Sequence, residues 1–417
     1  VFFLAVNLQA QPLAEAKPET VGLSFNQLQN IEALFKQYED KNWLPGGTVL
    51  IARKGKVAYF NAFGNKDLEA KIAYKKDDIF RLASMTKSVT TVATFMLYEK
   101  GAFRLDDPVW WYLSEWKEVK VLDKFNEIDS SYTSIEAKKT ITIRHLLTHT
   151  SGISYDFQSK IAAAIYAKGG ATVEALAGEG MTTAKMSKRL SKQPLMHQPG
   201  EKYTYGHNTD ILGQLVEVLS KQTLGEFCKE HIFEPLGMKE THFYLPKPLM
   251  SRLVPVYYEI QNKGLQRHDD ATFGYPYVNR PDYFTGGGGL SGTTMDYAIF
   301  AQMLLNKGTY NGKRILGRKT VDLMTSTDQL QKLGIPKKSF SQNGATFSLG
   351  FSLSTKDNLS HTSGSVGTFG WGGIFNTKYW VDPKEEMVMV AMTQVYPSYH
   401  PEFWEKLYAI VYGALED

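Results

Sequence analysis

The sequence predicts an α/β fold of the α+β type, on three observations. A helical period near the start leads into two short apolar runs joined by a tight turn. The middle, from about residue 102 to 280, alternates helical patterns with long loops, and strand-like runs return in the last third. No one stretch holds a whole sheet, so strands from the two ends must share one around an inserted helical middle. The domain plan is a leader over residues 1–20, an α/β lobe from residues 21–101 and 281–417, and a helical lobe from residues 102–280.

The elements follow in order. From Phe25 to Asp40 apolar residues recur at helical spacing (Leu28, Ile31, Leu34, Phe35), with Ser24 as the cap and Pro45-Gly46-Gly47 as the stop. Strands are expected at Thr48–Arg53 and Lys56–Phe63, joined through Lys54-Gly55. A buried helix begins near Ser84, with Met85, Val89, Val92 and Met96 on its apolar positions and Gly101 after its end. In the middle, Thr142–Thr148 reads as a short helix and Asp210–Ser220 as a longer one, carrying Ile211, Leu212, Leu215 and Val218. The last third predicts a helix at Tyr297–Asn306, strands at Ser348–Ser352, Gly373–Val381 and Glu386–Thr393, and a final helix at Pro401–Leu415.

Composition narrows the function classes. A chain of 417 residues that is 43% hydrophobic can bury more than one simple core, and a net charge of +4 offers no electrostatic case for nucleic acid. The opening Val1-Phe2-Phe3-Leu4-Ala5-Val6, running into small residues near Ala10, reads as the end of a secretory signal, so export to the periplasm or medium is the expectation. No later stretch has the length and apolarity of a membrane span, so stable membrane insertion is not expected. The single cysteine, Cys228, fits an exported chain without a disulfide framework and excludes a cysteine-based metal site.

The chemistry centres on Ser84-Met85-Thr86-Lys87. Residues three apart on a helix share a face, so the serine hydroxyl and the lysine amine can meet. A serine is a weak nucleophile until a neighbour takes its proton, and a desolvated lysine can be that neighbour. A second copy of the pattern, Ser114-Glu115-Trp116-Lys117, has charged neighbours and no apolar helix after it, and reads as a solvated turn. His145 and His149 lie four apart, but no further ligand stands at usable spacing, so they read as structural histidines and no metal is expected. Gly286–Gly289 lacks the Lys-Ser/Thr that closes a phosphate loop, and reads as backbone running close beside the site.

Six blocks in order carry a resemblance. They are Phe80-Arg81-Leu82-Ala83-Ser84-Met85-Thr86-Lys87, Leu105-Asp106-Asp107-Pro108-Val109, Ile143 to Gly152 (Ile-Arg-His-Leu-Leu-Thr-His-Thr-Ser-Gly), Pro199 to Asn208 (Pro-Gly-Glu-Lys-Tyr-Thr-Tyr-Gly-His-Asn), Pro235-Leu236-Gly237-Met238, and Phe369-Gly370-Trp371-Gly372-Gly373. Through them the chain, from roughly Gly46 to Asp417, resembles the serine β-lactamase and penicillin-binding-protein superfamily, and within it the class C-like esterases known as family VIII carboxylesterases. The resemblance implies a β-lactamase-like fold: an antiparallel sheet flanked by helices, an inserted all-α lobe, and an active site between the lobes.

It also implies roles. The family's Tyr-x-Asn falls on Tyr205-Gly206-His207; the literal Tyr277-Val278-Asn279 comes too late and lacks the flanking Pro-Gly and helix. Tyr205 would share the serine's proton with Lys87, the two titrating as a coupled unit. His207 stands where the family's asparagine helps hold the substrate, which weakens a β-lactamase assignment. The Lys-Thr-Gly position falls on Trp371-Gly372-Gly373, so the cation that would bind a substrate carboxylate is missing; His361-Thr362-Ser363-Gly364 precedes the strand by too much. The oxyanion donors implied are the backbone N–H groups of Ser84 and Ile374. The expected activity is hydrolysis of small short-acyl or aryl esters by an acyl-enzyme on Ser84, without cofactor. A β-lactamase, D-amino-acid peptidase, amidase or acyltransferase of the same fold is the first alternative, and a penicillin-binding sensor acylated without turnover is the second.

Overall fold

A computed structural model describes residues 13–176, 180–261, 263–268 and 282–417. The leader's apolar run and Tyr277-Val278-Asn279 lie outside these residues.

The first helix, α1 (Asn30–Asp40), follows a short helical turn whose cap Ser24 accepts from Gln27 N, and it buries Ile31, Leu34, Phe35 and Tyr38. It leads into β1 (Gly46–Arg53) and β2 (Lys56–Asp67), with β3 (Ile72–Ala73) as the edge. From the other end of the chain come β4 (Thr346–Phe347), β5 (Ser352–Leu353), β6 (Phe369–Gly373), β7 (Thr377–Asp382) and β8 (Met387–Met392). They form one antiparallel eight-stranded sheet in the order β4-β5-β6-β7-β8-β1-β2-β3. The two ends of the chain meet where β1 pairs with β8, Leu50 opposite Val390.

Every residue of β1 is buried, because both faces of the sheet are covered. Alternation divides them: Val49 and Ile51 pack with Met387, Met389 and Ala391 on one face, Leu50 and Ala52 with Val388 and Val390 on the other. The first face is covered by α1 and the last helix, α6 (Glu402–Tyr412), which Phe35 ties to β2 by stacking on Phe63 at 4.5 Å and meeting Phe403 edge-on at 5.2 Å. The second face is covered by α2 (Thr86–Glu99) and α5 (Thr294–Leu305), both almost wholly buried. Between these lie the insert's α3 (Ile143–Leu147) and α4 (Asn208–Ser220), α4 packing on α2.

Two predicted strands need correction. Gly373–Val381 is not one strand but the turn of a hairpin: β6 ends at Gly373, Asn376 takes φ +64°, and β7 returns from Thr377. The aromatic run hid the turn, which a left-handed asparagine makes. Ser348–Ser352 is mostly the bend between β4 and β5, closed by Ser348 N to Phe351 O at 2.8 Å, with Gly350 at φ +88°. The insert is mainly helical but also carries two hairpins, Lys120–Phe125 with Tyr132–Glu136 and Tyr257–Ile260 with Gly264–Arg267. Among the described residues no helix is long and apolar enough to cross a membrane.

Helix α3 is closed by a reciprocal cap: Thr142 accepts from His145 N, and His145 Nδ1 accepts from Thr142 N at 3.2 Å. Burial pushes the His145 imidazole down to about 4, with Asp106 opposing and Lys139 and Arg144 assisting. A histidine whose folded pKa lies below its unfolded value binds its proton more weakly when folded. Its stability contribution is therefore complete above pH 6.5 and lost as pH falls towards 4, by about 2 kcal/mol at pH 5. His145→Gln keeps an acceptor at this cap position without the titration. Thermal melts should show a smaller loss of Tm between pH 8 and pH 5 in the variant than in the native chain; an unchanged loss would contradict the assignment.

Candidate active site

The chain reaches Ser84 through a short strand, Ile79–Arg81, paired antiparallel with Ser291–Thr293, and Leu82 N extends the seam to Leu290 O at 2.9 Å. Ala83 then takes φ +44°, a left-handed turn that costs an alanine on the order of 1 kcal/mol and redirects the backbone into α2 at Ser84. The helix start is held by side chains from elsewhere. Tyr297 donates to Met85 O at 2.8 Å, Leu290 N donates to Thr86 Oγ1 at 3.1 Å, and the Ser88 and Tyr379 hydroxyls pair at 2.6 Å. The strained turn persists because these contacts over-determine it.

One turn into the helix, Lys87 is buried, and its Nζ donates to Ser84 Oγ at 3.2 Å and to the Gly287 carbonyl at 2.5 Å. Gly287 is held in turn by Asp210 on α4, which accepts from Gly287 N at 3.0 Å and from Thr285 Oγ1 at 2.6 Å. A side chain on Gly287 would bring its Cβ to 2.7 Å from Asp210 Oδ2 and 2.8 Å from the Tyr155 hydroxyl, so glycine is what lets this backbone pass. Asp210 also accepts from His207 Nδ1 at 3.0 Å. Burial alone would raise the Asp210 carboxyl; the His207 bond, the charge of Lys87 and the Thr285 bond outweigh it and hold the carboxyl below its ordinary value.

Lys87 Nζ also lies over the rings of Tyr205 and Tyr155, 4.8 and 5.2 Å from their centroids. The Tyr205 hydroxyl accepts from Trp371 Nε1 at 3.4 Å; among the described residues it makes no hydrogen bond to Ser84 or Lys87. The three rings beside it, His149 at 4.9 Å, Tyr155 at 5.4 Å and Trp371 at 5.6 Å, fix its plane. His149 is held by Asn208, whose amide donates to His149 Nδ1 at 3.0 Å, and desolvation and then the Lys87 charge push it well below its ordinary pKa. Asn208 also takes the Ser151 hydroxyl. The amide next to His207 in sequence is thus spent on the histidine behind Tyr205.

Ser84, His207 and Ile374 face one cavity of about 280 Å³, walled by Tyr155, Phe157, Tyr283, Phe375 and Tyr396. Ile374 arrives there because β6 runs beside the Ser84 turn: a Cβ on Gly373 would sit 2.5 Å from Leu82 O. Trp371 and Gly372 wall a neighbouring cavity of about 590 Å³, which His361, Thr362 and Ser363 also line. Ser114 and Lys117 lie on an exposed turn, with Lys117 Nζ 5.7 Å from the Trp110 ring. Sequence reasoning missed Asp210 and Tyr155. The signal for Asp210 was its position three residues after His207 on one helix face; Tyr155 had none, because only folding brings residue 155 to Lys87.

A half-buried serine on a buried lysine, at the seam of an antiparallel sheet and a helical insert, defines the class, and the comparisons agree. The chain belongs to the Beta-lactamase family, which matches residues 31–408 and comprises serine hydrolases of the β-lactamase fold. Its relatives include acyltransferase mokF of Monascus pilosus, 30% identical over 77% of this chain and 77% of that protein. They also include esterase EstB of Burkholderia gladioli, 25% identical over 84% of this chain and 86% of that protein. Among solved structures, EstCE1, a hydrolase with promiscuous acyltransferase activity, has the same fold at a TM-score of 0.77 and 24% identity, over 93% of this chain and 98% of that one. Simvastatin synthase (LovD) from Aspergillus terreus matches at a TM-score of 0.78 and 24% identity, over 94% and 99%.

The network sets an order of sensitivity. Labelling of Ser84 by a fluorophosphonate should fall about 100-fold or more in Lys87→Met, which keeps the stem but loses both hydrogen bonds. Tyr205→Phe should cost about as much, and Tyr155→Phe less than about tenfold. The reverse order for the two tyrosines would move the proton-sharing role to Tyr155.

Proposed function

We propose that this chain hydrolyses small carboxylic esters with short acyl or aryl groups, as a family VIII-like carboxylesterase, through an acyl-enzyme on Ser84. The observation that carries the reading is the Ser84 Oγ–Lys87 Nζ contact at 3.2 Å beside a cavity of about 280 Å³ with aromatic walls. That size suits one small acyl or aryl group. The Lys87/Tyr205 pair takes the serine proton as Ser84 attacks the ester carbonyl, and returns it to the departing alcohol. The developing oxyanion needs preorganised donors, each worth ~3 kcal/mol when lost, and the backbone N–H groups of Ser84 and Ile374 are assigned to it. Two facts support that assignment. Both residues face the cavity, and the turn hydrogen bonds beside them are made by Met85 N to Leu82 O (3.1 Å) and Asn376 N to Gly373 O (3.0 Å). With Trp371-Gly372-Gly373 in place of a lysine motif, β-lactams are at most side substrates.

An acyl-enzyme can also be captured by an alcohol, and the acyltransferase relative favours that as the second reading. The test is hydrolysis of p-nitrophenyl acetate and butyrate beside nitrocefin, with Ser84→Ala and Ser114→Ala in parallel and an alcohol added as competing acceptor. Sustained ester turnover that vanishes only in Ser84→Ala supports the esterase; a burst that stops at one equivalent points to the sensor module. Faster nitrocefin turnover points to a lactamase, and alkyl ester formed faster than free acid points to the transferase.

A further inference from the structure

The mechanism above leaves His207 unused. It is 3% exposed, stands at the N-cap position of α4 without a side-chain capping bond, and lines the same cavity as Ser84. Its Nδ1 is engaged by Asp210 at 3.0 Å, while its Nε2 is buried without a hydrogen-bond partner. Asp210 is held as a carboxylate, so it accepts, and Nδ1 must carry the ring proton. With Nδ1 carrying the ring proton, Nε2 is left as a buried acceptor without a partner, on a residue that lines the cavity. A buried acceptor left unmade is costly, so the arrangement asks for a donor that arrives with the reaction. The asparagine implied at this position by the family resemblance has no such base to offer.

Resting on the acyl-enzyme reading, we propose that His207, oriented by Asp210, is the base for the second half of the reaction, accepting the proton of the water or alcohol that attacks acylated Ser84. The acceptor oxygen bonds to the acyl carbon as its proton passes to Nε2, and the imidazolium is stabilised by Asp210. On collapse the carbon–Oγ bond breaks, and the imidazolium returns the proton to Ser84 Oγ, directly or through one water. Free acid (or new ester) and the starting enzyme result. Acylation and deacylation would thus use different bases at one nucleophile, Lys87 with Tyr205 for the first and His207 for the second.

The test is stopped-flow hydrolysis of p-nitrophenyl butyrate by the native chain, His207→Gln and His207→Asn, with mass spectrometry of Ser84. The variants should keep a one-equivalent burst at a rate within about threefold of native, which also reports an intact site. Their kcat should fall by about 100-fold with acyl-Ser84 accumulating. Hydroxylamine, which attacks without a base, should restore most of the lost turnover as hydroxamate. Unchanged kcat in both variants overturns the proposal while leaving the acyl-enzyme standing. A raised KM with a slowed burst overturns it too, because His207 would then hold substrate. A native chain that never carries acyl on Ser84 overturns both readings.

Discussion

The hydrogen bond from Lys87 to the Gly287 carbonyl is the contact on which the site depends. It joins three segments that are far apart in sequence: helix α2, the glycine run after the insert, and, through Asp210, the first turn of α4. A lysine and an aspartate buried this deeply are tolerable only if each is compensated, and here they compensate one another across a single peptide unit. The same peptide orients the lysine. With Gly287 O occupying one donor of Nζ, another is directed to Ser84.

This requirement explains features that look unrelated. In the glycine run after the insert, Gly287 lets backbone pass between Asp210 and the Tyr155 hydroxyl, where a β-carbon has no room. Gly373 performs the same service at the opposite wall, bringing β6 against Leu82 and delivering Ile374 to the cavity. The left-handed Ala83 is the residue of strain between these walls, held by hydrogen bonds from Tyr297 and Leu290 on the far side of the turn. Both lobes are therefore needed to define one serine.

The Ser84–Lys87 pair was legible from helical spacing together with the apolar helix that follows it, which the Ser114–Lys117 copy lacks. The sheet strands β1, β2 and β8 were legible from their apolar runs, and so were the helices that cover them. The hairpin at Ile374–Asn376 was not: it lies inside a run of strand formers, and one asparagine carried its turn. Tyr205 was identifiable only through the block it shares with a family, and Tyr155 was not identifiable at all. Nothing in its neighbourhood along the chain says that its ring will lie 5.2 Å from Lys87.

Local order along the chain therefore settled that Ser84 and Lys87 share one helical face, and the sheet's two-ended construction, because helical spacing and apolar alternation act over a few residues. Assembly of the lobes alone decided that Asp210 faces Gly287, that His207 lines the Ser84 cavity with its Nε2 buried and unpartnered, and that Trp371 meets the Tyr205 hydroxyl. These are contacts between residues more than 70 positions apart, or orientations imposed by such contacts, and their energies exist only once burial has removed the water that would otherwise satisfy each group.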